Sequence, residues 1–540
     1  MSPPLPPESR LATHDVTNQP AAPGDRDLWS EDRPLREAIA VNGGDVLHLA
    51  THGRALGTAD LAEAGRVANR CTPELRLFDR AGRRLDEVSF HPAYHRFLGL
   101  GLTAGYAALP WQGASGGHVT HAAMVYLHSQ VEPGTCCPMT MTYAAAALLR
   151  ADPDLARDWL PKISSATYDP AVMPLADKRG VTLGMAMTEK QGGSDLRANA
   201  TRAERDGDGW RLTGHKWFCS APMSDAFLTL AQTPKGLTCF LVPRWLPGER
   251  NALRLMRLKD KLGNRASASA EIEYDRAFAT RVGDEGRGIP TIIEMVHHTR
   301  LDTAVAPAGL MRAALAEAHR WVSHRTAFQR RLIDQPLMRM VLADLALDWL
   351  GATALGLRVA RAFDGTSEED RTLARIAVAL AKFLANKRCV TVVAEAMEVL
   401  GGMGYVEDTP LPLLYREAPL NGIWEGSGNV ICLDILRTLA KEPRADDSLA
   451  AELAIARGQS RAYDTALADT RARWPGPPPE AEARAFAERT ALLLTASVLI
   501  RQSPEIGAAY ATARLSPQGF SPGTAPLDPD PILARLSAAE

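Results

Sequence analysis

The chain has 540 residues, and its 61 Lys+Arg against 63 Asp+Glu give a formal net charge of −2. This length predicts two to four domains of roughly 150 residues each. The near-neutral charge gives no global electrostatic reason to expect binding to nucleic acid or to an anionic membrane, so only a locally basic region could support either. The seven cysteines form no C-x-x-C pair, which argues against a disulfide framework or a zinc ribbon.

Neither an export signal nor a membrane span is indicated by the apolar patterning. Residues 1–27 lack the apolar segment of a secretory signal. The apolar run at 491–500 is about half of the ~20 residues that span a bilayer. We therefore expect a reduced, cytoplasmic protein with no membrane partner. Its adjacent Cys136 and Cys137 are either two small buried residues or a redox pair.

The first half of the chain changes from helical to β-like patterning. Residues 1–30 are rich in proline and predict an extended arm, and the pattern from 33 to 160 is mostly helical, with Asp60 as a plausible helix cap. Between 181 and 281, short apolar runs alternate with turn residues, which predicts a β domain. The turn sequence Asp-Gly-Asp-Gly at 206–209 predicts a hairpin between two of its strands.

Long helices return after the β region. The spacing of apolar residues predicts helices at 289–329, 336–364 and 371–400, and such helices usually form a bundle. Further helices are predicted at 448–474 and at 480–501. The fold class is therefore mainly α, and the predicted parts are an N-terminal arm with a helical domain (1–180), a β domain (181–285), a helical bundle (286–440) and a C-terminal helical extension (441–540).

Two segments of the β region could contact a cofactor. The loop at 187–195, Met-Thr-Glu-Lys-Gln-Gly-Gly-Ser-Asp, offers backbone N–H groups and two hydroxyls that suit a polar ring system or a pyrophosphate. Its alternative interpretation is a plain Gly-Gly turn capped by Asp195. The segment 214–220, Gly-His-Lys-Trp-Phe-Cys-Ser, predicts a strand whose aromatic side chains either stack on a cofactor or pack in the core.

Two further segments carry charged residues in unusual surroundings. Arg325 in 324–328, followed by Gln335, could clamp a phosphate or could lie on a solvated helix face. Glu425 in 422–429, Gly-Ile-Trp-Glu-Gly-Ser-Gly-Asn, has apolar residues on one side and glycines on the other. Apolar neighbours raise a carboxyl pKa toward the range useful for proton abstraction, whereas a solvated loop glutamate is the alternative.

Together with Gly-Gly-Met-Gly-Tyr at 401–405, these four segments resemble the acyl-CoA dehydrogenase family in order and spacing, over about residues 60–437. The segments Phe-His-Pro-Ala-Tyr-His, Cys-Pro-Met-Thr-Met-Thr-Tyr-Ala-Ala and Arg-Leu-Lys-Asp-Lys-Leu-Gly-Asn-Arg-Ala-Ser-Ala-Ser resemble a narrower branch. That branch is the AidB-like flavoproteins of the adaptive response to DNA alkylation, which resemble isovaleryl-CoA dehydrogenase.

The resemblance implies a helical domain, a central β-barrel domain and a four-helix bundle, assembled as a homotetramer. One FAD per subunit would lie between the β domain and the bundle, and Arg325 and Gln335 would hold the FAD of the adjacent subunit. Gln329 stands where the family usually has Gly, and Phe218 stands where Trp is more usual. No metal is implied. The implied cofactor-binding residues are Met187, Thr188, Gly193, Ser194, Phe218, Cys219, Ser220, Arg325, Phe328, Gln335, Ile423, Trp424, Gly426, Ser427 and Asn429.

The implied chemistry is α,β-dehydrogenation of an acyl thioester, with Glu425 as the base that takes the α-proton. Hydrogen-bond donors, including the backbone N–H of Glu425, would stabilise the developing enolate oxygen. The sequence therefore predicts an FAD-dependent dehydrogenase for a short or branched acyl-CoA such as isovaleryl-CoA. Oxidation of another small molecule, including an alkylating agent, on the same flavin is a further hypothesis.

An alternative from another class is a DNA-associated protein that binds double-stranded DNA through residues 441–540 and protects it from alkylating agents, with weak or vestigial dehydrogenase activity. That region carries 11 Lys+Arg against 13 Asp+Glu, although phosphate binding needs clustered positive charge. Arg457 and Arg461 are one turn apart on a predicted helix and would share a face. A solvated face that packs the extension onto the tetramer is the other interpretation. The mildly basic stretch contains Arg457, Arg461, Arg471 and Arg473.

Overall fold

The computed structural model describes residues 5–516 and 525–536; its first seven helices and one hairpin lie within 33–163, between stretches without α-helix at 5–32 and 164–180. Helix α3 is capped by the Thr58 hydroxyl, which accepts the Leu61 N–H, rather than by the expected Asp60. The helices Gly117–Ser129 and Cys136–Leu149 are buried on almost every face and lie inside the core. The helices are α1 (Arg33–Asn42), α2 (Val46–Leu56), α3 (Ala59–Arg70), α4 (Pro92–Thr103), α5 (Gly117–Ser129), α6 (Cys136–Leu149) and α7 (Pro153–Ile163).

The hairpin β1 (Glu74–Phe78) and β2 (Arg84–Ser89) corrects the prediction of mostly helical structure over 33–160. Val88 is buried in the core of the sheet region, and Leu75 packs against the same core. The hairpin therefore belongs with the sheet rather than with the helices around it. Its strands are too short for their alternation to stand out within a long helical pattern.

The sheet region confirms that a β domain interrupts the helices. Within the described residues, seven strands form one sheet in the order β10-β11-β5-β4-β6-β3, and β7 pairs with both β6 and β11. The predicted hairpin is present, because Asp206 pairs with Gly209 around Gly207 at φ +57°. Closure of this sheet into a barrel stays a prediction. The strands are β3 (Leu183–Ala186), β4 (Arg202–Asp206), β5 (Gly209–Ser220), β6 (Ala226–Thr233), β7 (Gly236–Pro243), β8 (Trp245–Leu246), β9 (Glu249–Arg250), β10 (Leu253–Leu258) and β11 (Ser269–Val282).

Three long helices follow the sheet, as predicted. Helix α8 ends at His324 rather than near residue 329, because the chain turns through Phe328 and Gln329, both at positive φ, into a second small hairpin. Helix α9 is long and apolar enough to cross a membrane, but 83% of its most apolar window is buried, as in the core helix of a bundle. The elements are α8 (Gly288–His324), β12 (Thr326–Ala327), β13 (Arg330–Arg331), α9 (Pro336–Asp364), α10 (Glu368–Val399), α11 (Leu411–Glu417) and α12 (Gly428–Lys441).

The described parts of the C-terminal extension, 441–516 and 525–536, are mainly helical, but the helix predicted over 448–474 is broken in two. Gly458 takes φ +77°, and its N–H donates to the Asp464 carboxylate, which starts a new helix at Arg461. Arg457 and Arg461 therefore do not share one helix face, and that prediction is wrong. The elements are α13 (Pro443–Ala454), α14 (Arg461–Arg473), α15 (Ala483–Gln502), α16 (Pro504–Leu515) and α17 (Asp530–Leu533).

A buried ionic cluster anchors the extension to the bundle. The Arg514 guanidinium of α16 donates to Asp344 Oδ1 at 2.6 Å and to Asp348 Oδ1 at 2.9 Å, both on α9. Arg388 of α10 reaches the other Asp348 oxygen at 2.6 Å. The extension therefore packs as a continuation of the bundle rather than as a separate module.

Candidate active site

Glu425 lies in a tight turn just before α12. Its φ of +57° is left-handed, and Gly426 follows at +102°. The Thr299 hydroxyl of α8 donates to Glu425 Oε2 at 2.7 Å, and Arg300 Nε donates to the Glu425 carbonyl at 3.1 Å. Burial raises the pKa of Glu425 above its ordinary 4.5, against the opposing effect of the Thr299 hydrogen bond. The site thus holds a desolvated carboxylate in a strained, well-supported position, which suits a general base.

Lys382 holds both ends of this turn. Its buried ammonium donates to the Asn421 carbonyl at 2.8 Å and to the Gly426 carbonyl at 2.9 Å. Burial lowers the pKa of Lys382 to about 7, although the Glu425 carboxylate acts to raise it. Sequence reasoning missed this residue, although one lysine within the apolar run 376–385 of α10 was a usable signal.

The 187–195 loop and β5, which were both predicted to contact the cofactor, lie side by side. The Trp217 N–H donates to the Thr188 carbonyl at 2.7 Å. A Cβ on Gly193 would lie 2.5 Å from Thr188 Oγ1, so only glycine permits this close packing. Ser194 is exposed and Phe218 is 50% exposed. Backbone, hydroxyl and aromatic groups thus share one surface.

A buried ion pair supports that loop from beneath. Lys216 Nζ on β5 lies 2.7 Å from Glu189 Oε1, and both side chains are fully buried. Although burial acts to raise it, the Lys216 ammonium holds the pKa of Glu189 below its ordinary value. The Met187 carbonyl accepts the Asn199 side-chain amide at 3.0 Å. The loop is therefore a rigid platform rather than a free turn.

Cys137 is a buried thiol whose pKa responds to the charges of this region. Burial raises that pKa to about 12, the Lys261 charge acts to lower it, and the Glu425 charge acts to raise it. The Cys219 side chain instead lies in the sheet core, so only its backbone is available to a cofactor. Cys136 and Cys137 are both buried free thiols.

Arg325, Phe328 and Gln335 are not brought to this site within one chain. Arg325 follows Thr299 by about 26 residues, or roughly 40 Å along α8 at ~1.5 Å per residue. Arg325 Nη1 donates to the Asn18 carbonyl of the N-terminal arm at 3.0 Å. Phe328 is 93% exposed, and Gln335 Nε2 donates to the Ala327 carbonyl. These residues form a separate exposed turn.

The residues that follow Glu425 form the N-terminus of α12. Ser427 is the N-cap residue but makes no side-chain cap bond. A Cβ on Gly428 would lie 3.3 Å from Lys387 Nζ and 3.4 Å from Arg484 Nη1. Asn429 Oδ1 accepts Arg484 Nη1 at 2.8 Å. A helix N-terminus flanked by two cations favours an anion such as a pyrophosphate, so these residues fit a dinucleotide cofactor.

The two remaining residues of the carboxylate motif flank the turn on its N-terminal side. Ile423 is 64% exposed, and Trp424 Nε1 donates to Asn421 Oδ1 at 2.7 Å. Sequence reasoning also missed Thr299 and Arg300, because they meet Glu425 only after folding. Among residues 5–516 and 525–536, no group of three or more His, Cys, Asp or Glu side chains is arranged to hold a metal ion.

Comparison with known proteins agrees with this geometry. Residues 18–170 match the family described as Adaptive response protein AidB N-terminal domain. Residues 184–277 and 286–440 match the middle and C-terminal domains of acyl-CoA dehydrogenase. Over 463 residues the chain is 49% identical to the putative acyl-CoA dehydrogenase AidB of Escherichia coli (strain K12), covering 84% of this chain and 86% of that protein.

Two solved structures share the fold. Caenorhabditis elegans ACDH-11 in complex with C11-CoA matches with a TM-score of 0.83 at 26% identity, covering 96% of each chain. An acyl-CoA dehydrogenase from Bacillus anthracis complexed with FAD matches with a TM-score of 0.68 at 16% identity, covering 91% of this chain and 89% of that one. The chain therefore belongs to the acyl-CoA dehydrogenase family of FAD-dependent oxidoreductases, in its AidB-like branch.

Proposed function

We propose that the protein dehydrogenates a short or branched acyl-CoA such as isovaleryl-CoA, with Glu425 as the base. The observation that carries this proposal is the Glu425 carboxylate, which lies in a left-handed turn, accepts the Thr299 hydroxyl at 2.7 Å and has its pKa raised by burial. The complex of the C. elegans relative with C11-CoA supports an acyl-CoA as the substrate class. When bound, FAD supplies the acceptor for the hydride that leaves the β-carbon.

Glu425 would take the α-proton of the thioester. Burial raises the pKa of this carboxyl, which makes it a stronger base than a solvated glutamate. The hydrogen bond from Thr299 engages Oε2 and orients the group so that Oε1 can receive the proton. The backbone N–H of Glu425, by resemblance to the family, would donate to the developing enolate oxygen.

Two surfaces of this chain would hold the cofactor. Thr188, Ser194, Phe218 and Ser220 would contact the flavin end, because the loop and β5 present them together. The open N-terminus of α12 would favour phosphate oxygens.

The exposed turn at the end of α8 supports a homotetramer, because Arg325, Phe328 and Gln335 are too far from Glu425 to hold the same FAD. In such an assembly they would contact the FAD of a neighbouring subunit. The exposure of Phe328 fits a contact that one chain alone does not bury.

The test is anaerobic titration of the FAD-loaded protein with a panel of acyl-CoAs. We expect isovaleryl-CoA to bleach the flavin absorbance, and a straight chain of eleven carbons tests whether the substrate is longer. If the protein holds FAD and no acyl-CoA in the panel bleaches it, dehydrogenation is not its reaction. An alkylating agent in the same series tests oxidation of another small molecule.

Lys382→Met is expected to weaken both the turn and its chemistry. Two buried carbonyls would lose a donor, which costs about 1–3 kcal/mol each when a group stays unsatisfied. The Lys382 charge lowers the pKa of Glu425, so its loss raises that pKa further and moves the acid limb of the bleaching rate to higher pH. The measurements are thermal melting and the pH profile of bleaching. Lys441→Met, at an exposed lysine, should change neither; an unshifted profile in Lys382→Met contradicts the proposed coupling.

A second candidate function is DNA binding by the extension, favoured by the exposure of the four arginines of its mildly basic stretch, Arg457, Arg461, Arg471 and Arg473. Arg473, however, pairs with Glu482 at 2.9 Å, and Gly458 separates Arg457 from the α14 helix. We expect weak binding that falls steeply with salt. In mobility shifts at low salt, replacing all four arginines by Gln should abolish binding, whereas Arg202→Gln with Arg205→Gln on β4 should not. Unchanged shifts in the fourfold variant would refute this function.

A further inference from the structure

A cavity of about 280 Å³ lies just beyond the end of β5. It is lined by the β1–β2 hairpin, α4, Pro138 of α6, residues 168–178 and the β5–β6 turn. Thr182, just before β3, lines the cavity, whereas Thr188 of the cofactor loop follows the other end of that strand. The cavity therefore opens at the opposite end of β3 from the cofactor loop.

One wall of the cavity is aromatic. The rings of Phe90 and Tyr94 stack with their centroids 4.0 Å apart. His95 packs edge-on against both rings and stacks on Tyr168, to whose hydroxyl its Nδ1 is hydrogen-bonded at 2.6 Å. Burial lowers the pKa of His95, which favours the neutral imidazole. Neutral aromatic faces of this kind attract flat rings and cations.

The other end of the cavity is polar and holds an unused hydroxyl. Ser224 is 1% exposed, and within the described residues its Oγ has no hydrogen-bond partner. Asp225 lies beside it, with one carboxylate oxygen accepting the Thr182 N–H at 2.8 Å and the other 3.2 Å from Lys178 Nζ. A buried hydroxyl without a partner is rare, which indicates that a ligand or an ordered water completes it.

The charges that line the cavity disfavour an anion. Lys178 donates to the backbone carbonyls of Asp169 and Ala171 in addition to its contact with Asp225, so its donors are already used. Three carboxylates, those of Glu87, Asp169 and Asp225, line the cavity against the two cations Arg76 and Lys178, and carboxylate oxygens can accept more than one hydrogen bond.

We propose that this cavity is a binding site for a small planar aromatic ligand that carries an N–H donor or a positive charge, such as an aromatic amine or amidine. The ring would stack against Tyr94 or Tyr168, and its donor group would reach Ser224 and Asp225. The lining shares no residue with the Glu425 turn or the 187–195 loop, although its Ala221 directly follows the flavin-facing Ser220.

The test is saturation-transfer NMR on the FAD-loaded protein with three matched probes. Benzamidine is flat and cationic, benzoate is flat and anionic, and cyclohexanecarboxamidine is cationic but not flat. We expect benzamidine to bind saturably and at least tenfold more tightly than either of the others. Equal binding of benzoate, no saturable binding of benzamidine, or displacement of benzamidine by an acyl-CoA would overturn the proposal.

Substitutions of lining residues test whether benzamidine binds in this cavity. Tyr168→Leu should weaken benzamidine at least tenfold, and Tyr168→Phe, which keeps the ring, should weaken it less. Tyr415→Leu, at a half-exposed tyrosine of α11, should leave the affinity unchanged. Ser224→Val fills the polar end and provides a second route if Tyr168→Leu does not fold, as judged by thermal melting. Unchanged affinity in a folded Tyr168→Leu or Ser224→Val protein refutes the site.

Discussion

Glu425→Gln is expected to slow the bleaching of bound flavin by an acyl-CoA by about 10²–10⁴-fold, the usual contribution of a general base. Gln has nearly the shape of Glu and can still accept the Thr299 hydrogen bond, so the turn should persist. It cannot accept the α-proton. FAD should therefore stay bound while reduction nearly stops, which a stopped-flow absorbance measurement separates directly.

A matched control comes from another glutamate whose pKa burial raises, Glu395 of α10. Glu395→Gln removes the same negative charge from a half-buried position outside the turn and should leave the bleaching rate within a factor of two or so. Loss of FAD from the Glu425→Gln protein, or bleaching at the wild-type rate, would show that the carboxylate is not the base.

Arg514→Met is expected to lower the free energy of unfolding by about 3–5 kcal/mol, as is usual when one partner of a buried charge cluster is removed. Both buried carboxylates, Asp344 and Asp348, would lose the Arg514 guanidinium, while Asp348 would keep its contact with Arg388. Met keeps much of the length and apolar bulk of the arginine stem. Denaturant unfolding measures the loss, and limited proteolysis shows whether α16 is released first.

Arg473→Met provides the comparison for that experiment. Its ion pair with Glu482 is exposed, and exposed pairs contribute little to stability. A loss in Arg514→Met no larger than in Arg473→Met would mean that apolar packing, rather than the ionic cluster, anchors the extension.

The local features of the site could be predicted from the sequence, because the carboxylate turn, the glycine loop and the aromatic strand each occupy one short segment. The residues that hold the Glu425 turn in place could not be predicted. Thr299 precedes Glu425 by 126 positions, and only the packing of α8 against the turn brings the two together. Lys382 lies on a third helix, α10, and reaches the turn only in the folded chain. No local sequence pattern encodes the way in which these three helices meet.

Errors in the predicted elements arose where one residue overrode a longer pattern. The apolar spacing of 448–474 is helical throughout, but Gly458 adopts a left-handed conformation and divides it. Residues 325–328 continue the helical pattern of α8, yet positive φ at Phe328 and Gln329 places them in a hairpin. Periodicity reports which face is apolar and says little about where a chain reverses.

The hydrogen bond between Arg484 and Asn429 joins the extension to the first turn of α12, next to the Glu425 turn. Any ligand that displaces α15 would alter the positive field at that helix N-terminus, where the cofactor phosphates are proposed to lie. The absorbance and fluorescence of the flavin then serve as an intrinsic, label-free reporter of events on the extension. Spectral titrations of the FAD-loaded protein can therefore detect a ligand that binds to the extension, at a distance from the flavin.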